Sequence, residues 1–187
     1  MAAFLGAGSV VAWWLPAVWL DWQPTLADAE PWRAFSAAFV HWSALHLGAN
    51  LLGVAVVAAL GHVGRLPWLA TAAWALAWPL TQQALRIQPA LAHYGGLSGV
   101  LHAGVAVAAL WLLVQARGRT RWLAAAVLVG LFVKLWTEDP FGPPLRTGGG
   151  WDIATAPLAH ATGAAAGLLA AALLLLVQRK WQQPHRL

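Results

Sequence analysis

Six apolar stretches follow one another along the chain, separated by short polar or Gly- and Pro-containing loops. They lie near residues 2–20, 44–60, 67–85, 97–116, 121–136 and 155–177. About 20 apolar residues cross a hydrocarbon core of ~30 Å, so each stretch predicts a membrane helix, although the fifth is short. Pro79 inside the third stretch predicts a kink. The pattern therefore predicts an all-α polytopic membrane protein with six transmembrane helices.

The composition agrees with this prediction. Of the 187 residues, 60% are hydrophobic and only 9% are charged, which is more apolar than a soluble domain of this size requires. The chain has no cysteine, which excludes thiol catalysis, thiolate metal sites and disulfides. The first stretch lacks the basic start of a signal peptide and carries Trp13, Trp14 and Trp19 toward its end, as a membrane helix would. No repeat or soluble domain is evident, so we expect a single membrane domain over residues 1–187.

The charged residues predict the orientation of the helices. The loops after the second and fourth stretches and the C-terminal tail carry seven basic and no acidic residues, namely Arg65, Arg117, Arg119, Arg121, Arg179, Lys180 and Arg186. The opposite loops carry all six acidic residues, Asp21, Asp28, Glu30, Glu138, Asp139 and Asp152, with only Arg33, Arg86 and Arg146 as basic residues. Lys134, near the outer end of the fifth stretch, is expected to snorkel to the interface. By the positive-inside rule, both termini are expected in the cytoplasm. The basic residues sit at the ends of apolar runs, so they are read as topology signals, and no nucleic-acid partner is expected.

A serine lies between glycines at the start of the fourth stretch, in Gly96-Leu97-Ser98-Gly99. Ser98 falls at the outer, N-terminal end of the predicted helix, where unpaired N–H groups and the helix dipole favour an anion. Gly96 and Gly99 allow either close helix packing or room for a substrate backbone. Polar residues at membrane depth are costly, so a functional role is their default explanation.

The sixth stretch carries His160 at about the depth predicted for the serine. The glycines that follow it, Gly163 and Gly167, form a smooth face on which another helix can pack. If that helix is the fourth, with Gly99 and Ala103 facing it, the imidazole and the serine hydroxyl come within hydrogen-bond reach. The alternatives for His160 are a hydrogen bond to a backbone carbonyl or a haem ligand.

Further polar residues are expected at the same depth. His46 and Asn50 share one face of the second helix and can donate hydrogen bonds to an oxyanion, or clamp two helices together. His102 lies one turn below Ser98, where it can stack on or bond to His160, or fill the space between helices. Every outer carboxylate is in a loop, so no third partner for Ser98 and His160 is evident, and His102 is a possible orienting group. Water must reach this site, so we predict a polar cavity open to the outer face and capped by the loop before the sixth stretch.

These residues together resemble the rhomboid family of intramembrane serine proteases over almost the whole chain. The resemblance rests on the Trp-Arg loop, the second-helix HxxxN pattern, the GxSG turn and a last-helix His followed by spaced glycines. In this sequence they stand at Trp32-Arg33, His41, His46 and Asn50, Gly96–Gly99, and His160 with Gly163 and Gly167. The resemblance implies a Ser98–His160 dyad, with an oxyanion hole made by His46, Asn50 and the Ser98 N–H. It also implies no cofactor and no metal.

The serine turn is similar to that of one branch of the family. Many bacterial rhomboids have Tyr four residues after the serine, where this chain has His102, and the run from Tyr94 to His102 resembles the rhombosortases. The resemblance implies membrane-anchored substrates with a C-terminal Gly-Gly signal, a transmembrane helix and a basic tail, cleaved during sorting to the cell surface. It implies a bacterial inner-membrane location, with the active site toward the periplasmic face.

Other functions remain open at this point. A general rhomboid protease would cleave other single-pass substrates, and a non-catalytic rhomboid-like protein would bind clients; the latter usually lacks the Ser or the His. A metal or haem protein could use the seven histidines, although no HExxH is present. A transporter is disfavoured, because the chain shows neither a repeat nor an intramembrane carboxylate.

Overall fold

A computed structural model describes residues 1–181, so the predictions for His185 and Arg186 lie outside the described residues. Helices account for all the regular secondary structure in this part of the chain, and it contains no β-strand. There are seven α-helices: α1 Ala2–Ala12, α2 Arg33–Ser36, α3 Ala44–Val63, α4 Trp68–Gln83, α5 Ser98–Gln115, α6 Gly118–Thr137 and α7 Pro157–Trp181. By length and composition, α3, α5, α6 and α7 can cross a membrane. Each apolar stretch from the second to the sixth coincides with one helix.

The first apolar stretch is less helical than the sequence predicts. A helix was expected over residues 2–20, but α1 ends at Ala12 and only a 3-10 turn, Ala17–Trp19, follows. Pro16 explains the break, because proline lacks an N–H and disfavours the helical conformation of the residue before it. In contrast, α4 runs through Pro79 and ends at Gln83.

Helix α5 occupies the centre of the structure and packs against α3, α4, α6 and α7. Its most extensive interface is with α7. A Cβ on Gly163 would overlap the backbone of Gly99, and a Cβ on Gly167 would overlap the backbone of Ala103. The predicted packing of the two helices through these four residues is therefore confirmed. It brings the start of α5 and the start of α7 side by side.

The other neighbours of α5 differ in how closely they pack. The Trp74 indole of α4 donates a hydrogen bond of 2.7 Å to the Val100 carbonyl, which fixes α4 against the first turns of α5. Helix α6 packs mainly on α5 and hardly touches α7, and among its residues only Ala124 and Leu131 are buried. A space therefore remains beside α5, between α3 and α6.

The long loop between α1 and α3 supports the serine turn. Trp22 and Tyr94 exchange two backbone hydrogen bonds of 2.7 and 2.9 Å. The fully buried Asp21 carboxylate bonds the Arg33 guanidinium at 3.0 Å and the His93 ring at 2.6 Å. Breaking a buried pair of this kind leaves an uncompensated charge, so these contacts constrain the loop strongly. The Trp-Arg loop thus serves as a structural base for the chain that enters α5.

The contact of α7 with α5 predicts that Gly→Ala substitutions differ in their effect on stability, depending on whether the glycine lies at this contact. We expect Gly163→Ala to destabilise the protein by about 1–3 kcal/mol, because the added methyl must push two helix backbones apart. Gly61→Ala is the matched control, since a Cβ at Gly61 meets nothing within 4 Å. Thermal unfolding of both variants in detergent measures the difference. Equal midpoints for the two variants would contradict the close helix contact.

Candidate active site

A cavity of about 640 Å³ opens beside α5, bounded by α3, α6 and the segment that leads into α7. Five polar residues singled out in the sequence line it, from three helices: Ser98, His160, His46, Asn50 and His102. The structure therefore brings together side chains that lie more than 100 positions apart in the sequence. They form one polar cluster.

The rest of the cavity wall is mostly apolar, so the expectation of a polar cavity holds only at the cluster. Deeper in the cavity the wall is formed by Leu101 and Val105 of α5 and by Val127 and Leu131 of α6. The segment after the Gly148–Gly150 run contributes to the opposite side. An apolar wall beside a polar cluster fits a hydrophobic polypeptide segment whose reacting amide reaches the polar end.

The serine turn is fixed by the loop beneath it. The Gly96 N–H donates to the Ala37 carbonyl at 2.9 Å, and the Tyr94 hydroxyl donates to the Gly96 carbonyl at 3.3 Å. Ser98 is the first residue of α5, and only Leu97 separates it from Gly96. The first N–H groups of a helix have no partner within the helix. The Ser98 hydroxyl therefore lies beside backbone N–H groups that no carbonyl of the same helix occupies.

His46 and Asn50 of α3 lie directly against this turn. A Cβ on Gly96 would be 2.7 Å from His46 Nε2 and 3.7 Å from Asn50 Nδ2. The Trp42 N–H donates to His46 Nδ1 at 3.4 Å, so His46 carries its hydrogen on Nε2. Within residues 1–181, Asn50 Nδ2 is buried and has no hydrogen-bond partner. Two side-chain donors thus face the serine turn, and the glycine leaves room for them.

His160 is held by two neighbours. Its Nδ1 lies 2.7 Å from Glu138 Oε2, and its ring stacks on that of His102 with centroids 4.2 Å apart and 14° between the planes. His102 Nδ1 donates in turn to the Ser98 carbonyl at 2.6 Å. Of the alternatives open for His102, stacking on His160 is the one that the structure shows. In the described part of the chain, no hydrogen bond joins the Ser98 hydroxyl to His160; this contact often tightens only when substrate binds.

Glu138 is the residue that the sequence reasoning missed. All outer carboxylates were assigned to loops, and none was expected to reach His160. Glu138 follows α6 directly, four residues after Lys134, whose Nζ lies 2.5 Å from Glu138 Oε1. Lys134 was expected to snorkel to the interface, but it also holds this carboxylate. The i,i+4 spacing of an acid and a base at a helix end was the signal that could have indicated an ordered carboxylate.

Two other histidines, His41 and His62, do not line the cavity. His41 donates from Nδ1 to the Phe39 carbonyl at 3.1 Å and its ring lies 4.8 Å from that of His46. Burial lowers the pKa of His41 to about 4, although the bond to Phe39 opposes the shift, so it is neutral at pH 7. His62 is exposed near the end of α3. Residues 1–181 contain no group of three His, Cys, Asp or Glu side chains placed so that they could hold a metal ion.

The fold and the polar cluster define a helical membrane protein with a serine, a histidine and hydrogen-bond donors in one cavity. Comparison with protein-family models matches residues 28–177 to the Rhomboid domain. The chain therefore belongs to the rhomboid family, whose members are in general intramembrane serine proteases acting on membrane-protein substrates. A search of curated proteins found no match.

The position of His46 predicts a specific effect at Gly96. We expect Gly96→Ala to abolish any activity of the site, because the added methyl displaces the His46 ring and the φ of +129° disfavours a side chain. Gly118→Ala is the control, since Gly118 also has a positive φ, +58°, but a Cβ there meets nothing within 4 Å. Turnover of a membrane-anchored reporter compares the variants. Full activity in Gly96→Ala would contradict the tight fit.

Proposed function

We propose that this protein is an intramembrane serine endopeptidase of the rhombosortase type, acting through a Ser98–His160 dyad. Its substrates are surface-destined proteins whose C-terminal sorting tail combines Gly-Gly, a transmembrane helix and basic residues. The observation that carries the proposal is the convergence in one cavity of Ser98 at a helix start, His160 from α7 and the paired donors of α3. Membership of the rhomboid family supports the reaction class.

The mechanism is acyl transfer. His160 Nε2 takes the proton of the Ser98 hydroxyl as the oxygen attacks the substrate carbonyl carbon. The negative charge on the carbonyl oxygen is held by the Ser98 N–H, His46 Nε2–H and the Asn50 amide, and each such donor typically contributes ~10²–10³ in rate. The amide C–N bond then breaks, and His160 returns its proton to the leaving nitrogen. Water, or an amine acceptor, releases the acyl-enzyme.

The branch assignment rests on the serine turn. The run from Tyr94 to His102 resembles the rhombosortase pattern, and His102 stacks on His160 at the position where many bacterial rhomboids have Tyr. The apolar wall along α5 and α6 suits the hydrophobic part of a sorting tail. A general rhomboid protease would share the dyad and differ in its substrate, so reporter choice separates the two.

We further propose six membrane spans, with both termini in the cytoplasm of a bacterial cell and the active site toward the periplasmic face of the inner membrane. Helix α4, with 16 residues, continues as a four-residue 3-10 turn, which extends its reach. Each basic residue assigned to the outer side is ion-paired with an acid, namely Arg33, Arg86, Lys134 and Arg146. In residues 1–181 the inner basic residues form no such pair. Unneutralised positive charge on one side agrees with the positive-inside rule.

Reporter cleavage tests the dyad. The full-length protein is co-expressed with a membrane-anchored reporter that ends in Gly-Gly, a transmembrane helix and a basic tail. We expect cleavage near the Gly-Gly signal, mapped by mass spectrometry, and its loss in both Ser98→Ala and His160→Ala. Retained cleavage in either variant would overturn the dyad.

Two controls make the result specific. Ser9→Ala changes a serine of α1 whose hydroxyl bonds the Leu5 carbonyl outside the cavity, and it should leave cleavage intact. A second reporter with an unrelated single-pass anchor should resist cleavage. Cleavage of the second reporter alone would indicate a general rhomboid protease, and cleavage of neither by the folded protein would indicate a client-binding role.

A further inference from the structure

The His160 ring has a carboxylate partner on the side away from its predicted reactive nitrogen. Glu138 Oε2 lies 2.7 Å from Nδ1, and only 12% of the His160 side chain and 28% of the Glu138 side chain are exposed. Glu138 belongs to the end of α6, whereas His160 belongs to α7. These two helices make few other contacts. The Glu138 bond is thus a specific link between two otherwise loosely joined elements.

This bond determines where the ring carries its hydrogen. An ionised carboxylate can only accept, so His160 Nδ1 must be the donor and Nε2 of the neutral ring is left with a free lone pair. The free nitrogen is the one a general base needs. When the ring takes the serine proton it becomes a cation, and the adjacent carboxylate stabilises that cation.

The neighbours of Glu138 keep it ionised. Burial raises its pKa, but the hydrogen bonds and charges of His160 and Lys134 outweigh that effect and lower the pKa to about 2. The Glu138 carboxylate is therefore ionised throughout the pH range in which histidine titrates. Lys134 Nζ occupies the other oxygen, so the carboxylate is held from both sides.

We infer that Glu138 is a positioning residue that orients the His160 ring and stabilises the imidazolium formed during the reaction. The site is then a Ser98–His160–Glu138 triad. The inference rests on the proposed function, since it assigns the base of that reaction its third partner. It differs from the expectation drawn from the sequence, in which no third member was evident. His102 is the less suitable orienting group, because its own Nδ1 is occupied by the Ser98 carbonyl and it contacts His160 by stacking.

Charged and titratable groups surround His160 on several sides. Glu138 and Lys134 face it from α6, His102 from α5 and His46 from α3, and Asp152 lies in the segment before α7. Of these, Glu138 is the anion that bonds the ring. A neighbouring anion stabilises the imidazolium that forms as the serine proton is taken, so neutralising Glu138 should slow the reaction.

The test is Glu138→Gln in the full-length protein. A glutamine amide group can donate to Nδ1 and so favours the wrong tautomer; the equivalent change in a serine-protease triad costs on the order of 10⁴ in kcat. We expect a kcat loss of roughly 10²–10⁴ with KM little changed. The matched control, Asp139→Asn, removes the next carboxylate, which pairs with Arg146, and should move neither quantity.

A readout without substrate separates this inference from the proposed function. In side-chain ¹⁵N spectra at neutral pH, we expect His160 to carry its hydrogen on Nδ1 in the parent protein and on Nε2 in Glu138→Gln. Folded Glu138→Gln protein with the parent tautomer and the parent kcat would overturn the role of Glu138. If Ser98→Ala still cleaves the reporter while the tautomer changes as expected, the proposed function fails and the positioning contact stands.

Discussion

The close approach of α5 and α7 is the contact on which the candidate active site depends. The two backbones meet at Gly99 and Gly163. A Cβ on Gly99 would lie 2.7 Å from the Ala159 carbonyl oxygen of α7, and a Cβ on Gly163 would overlap the Gly99 backbone of α5. Helices in a membrane gain little from the hydrophobic effect against each other, so small residues and close backbone contact supply the association. Ser98 and His160 are each within three residues of this contact. Their common position in the cavity is therefore a consequence of packing.

The loop before α3 and the end of α6 hold the two parts of the site that the α5–α7 contact brings together. The loop holds the serine turn through backbone bonds to Tyr94 and Gly96, on a base fixed by the buried Asp21–Arg33 pair. On the other side, Glu138 holds the His160 ring from the end of α6. Ser98 and His160 are thus each positioned by an element outside the α5–α7 pair. Helix α6, which is otherwise mostly exposed, contributes through its last turn.

Much of this arrangement could be predicted because it follows from local patterns. The apolar stretches predicted five of the helices, and Gly163 and Gly167 predicted the packing of α7 on α5. The Glu138 contact could not be found this way, because the path of the chain after α6 decides which loop carboxylate reaches His160. Pro16 is a sequence signal for the early end of α1, but the unbroken run of apolar residues around it favoured a longer helix. Pairing of Trp22 with Tyr94 is non-local and has no sequence pattern.

The central claim is that packing makes Ser98 a nucleophile activated by His160. Labelling of the purified full-length protein with a fluorophosphonate probe tests this most directly, because the probe reacts with an activated serine whatever the natural substrate. We expect one adduct, mapped by mass spectrometry to Ser98, with labelling lost in Ser98→Ala and greatly reduced in His160→Ala. Absence of the adduct from folded parent protein, or equal labelling of Ser98 in His160→Ala, would contradict the claim.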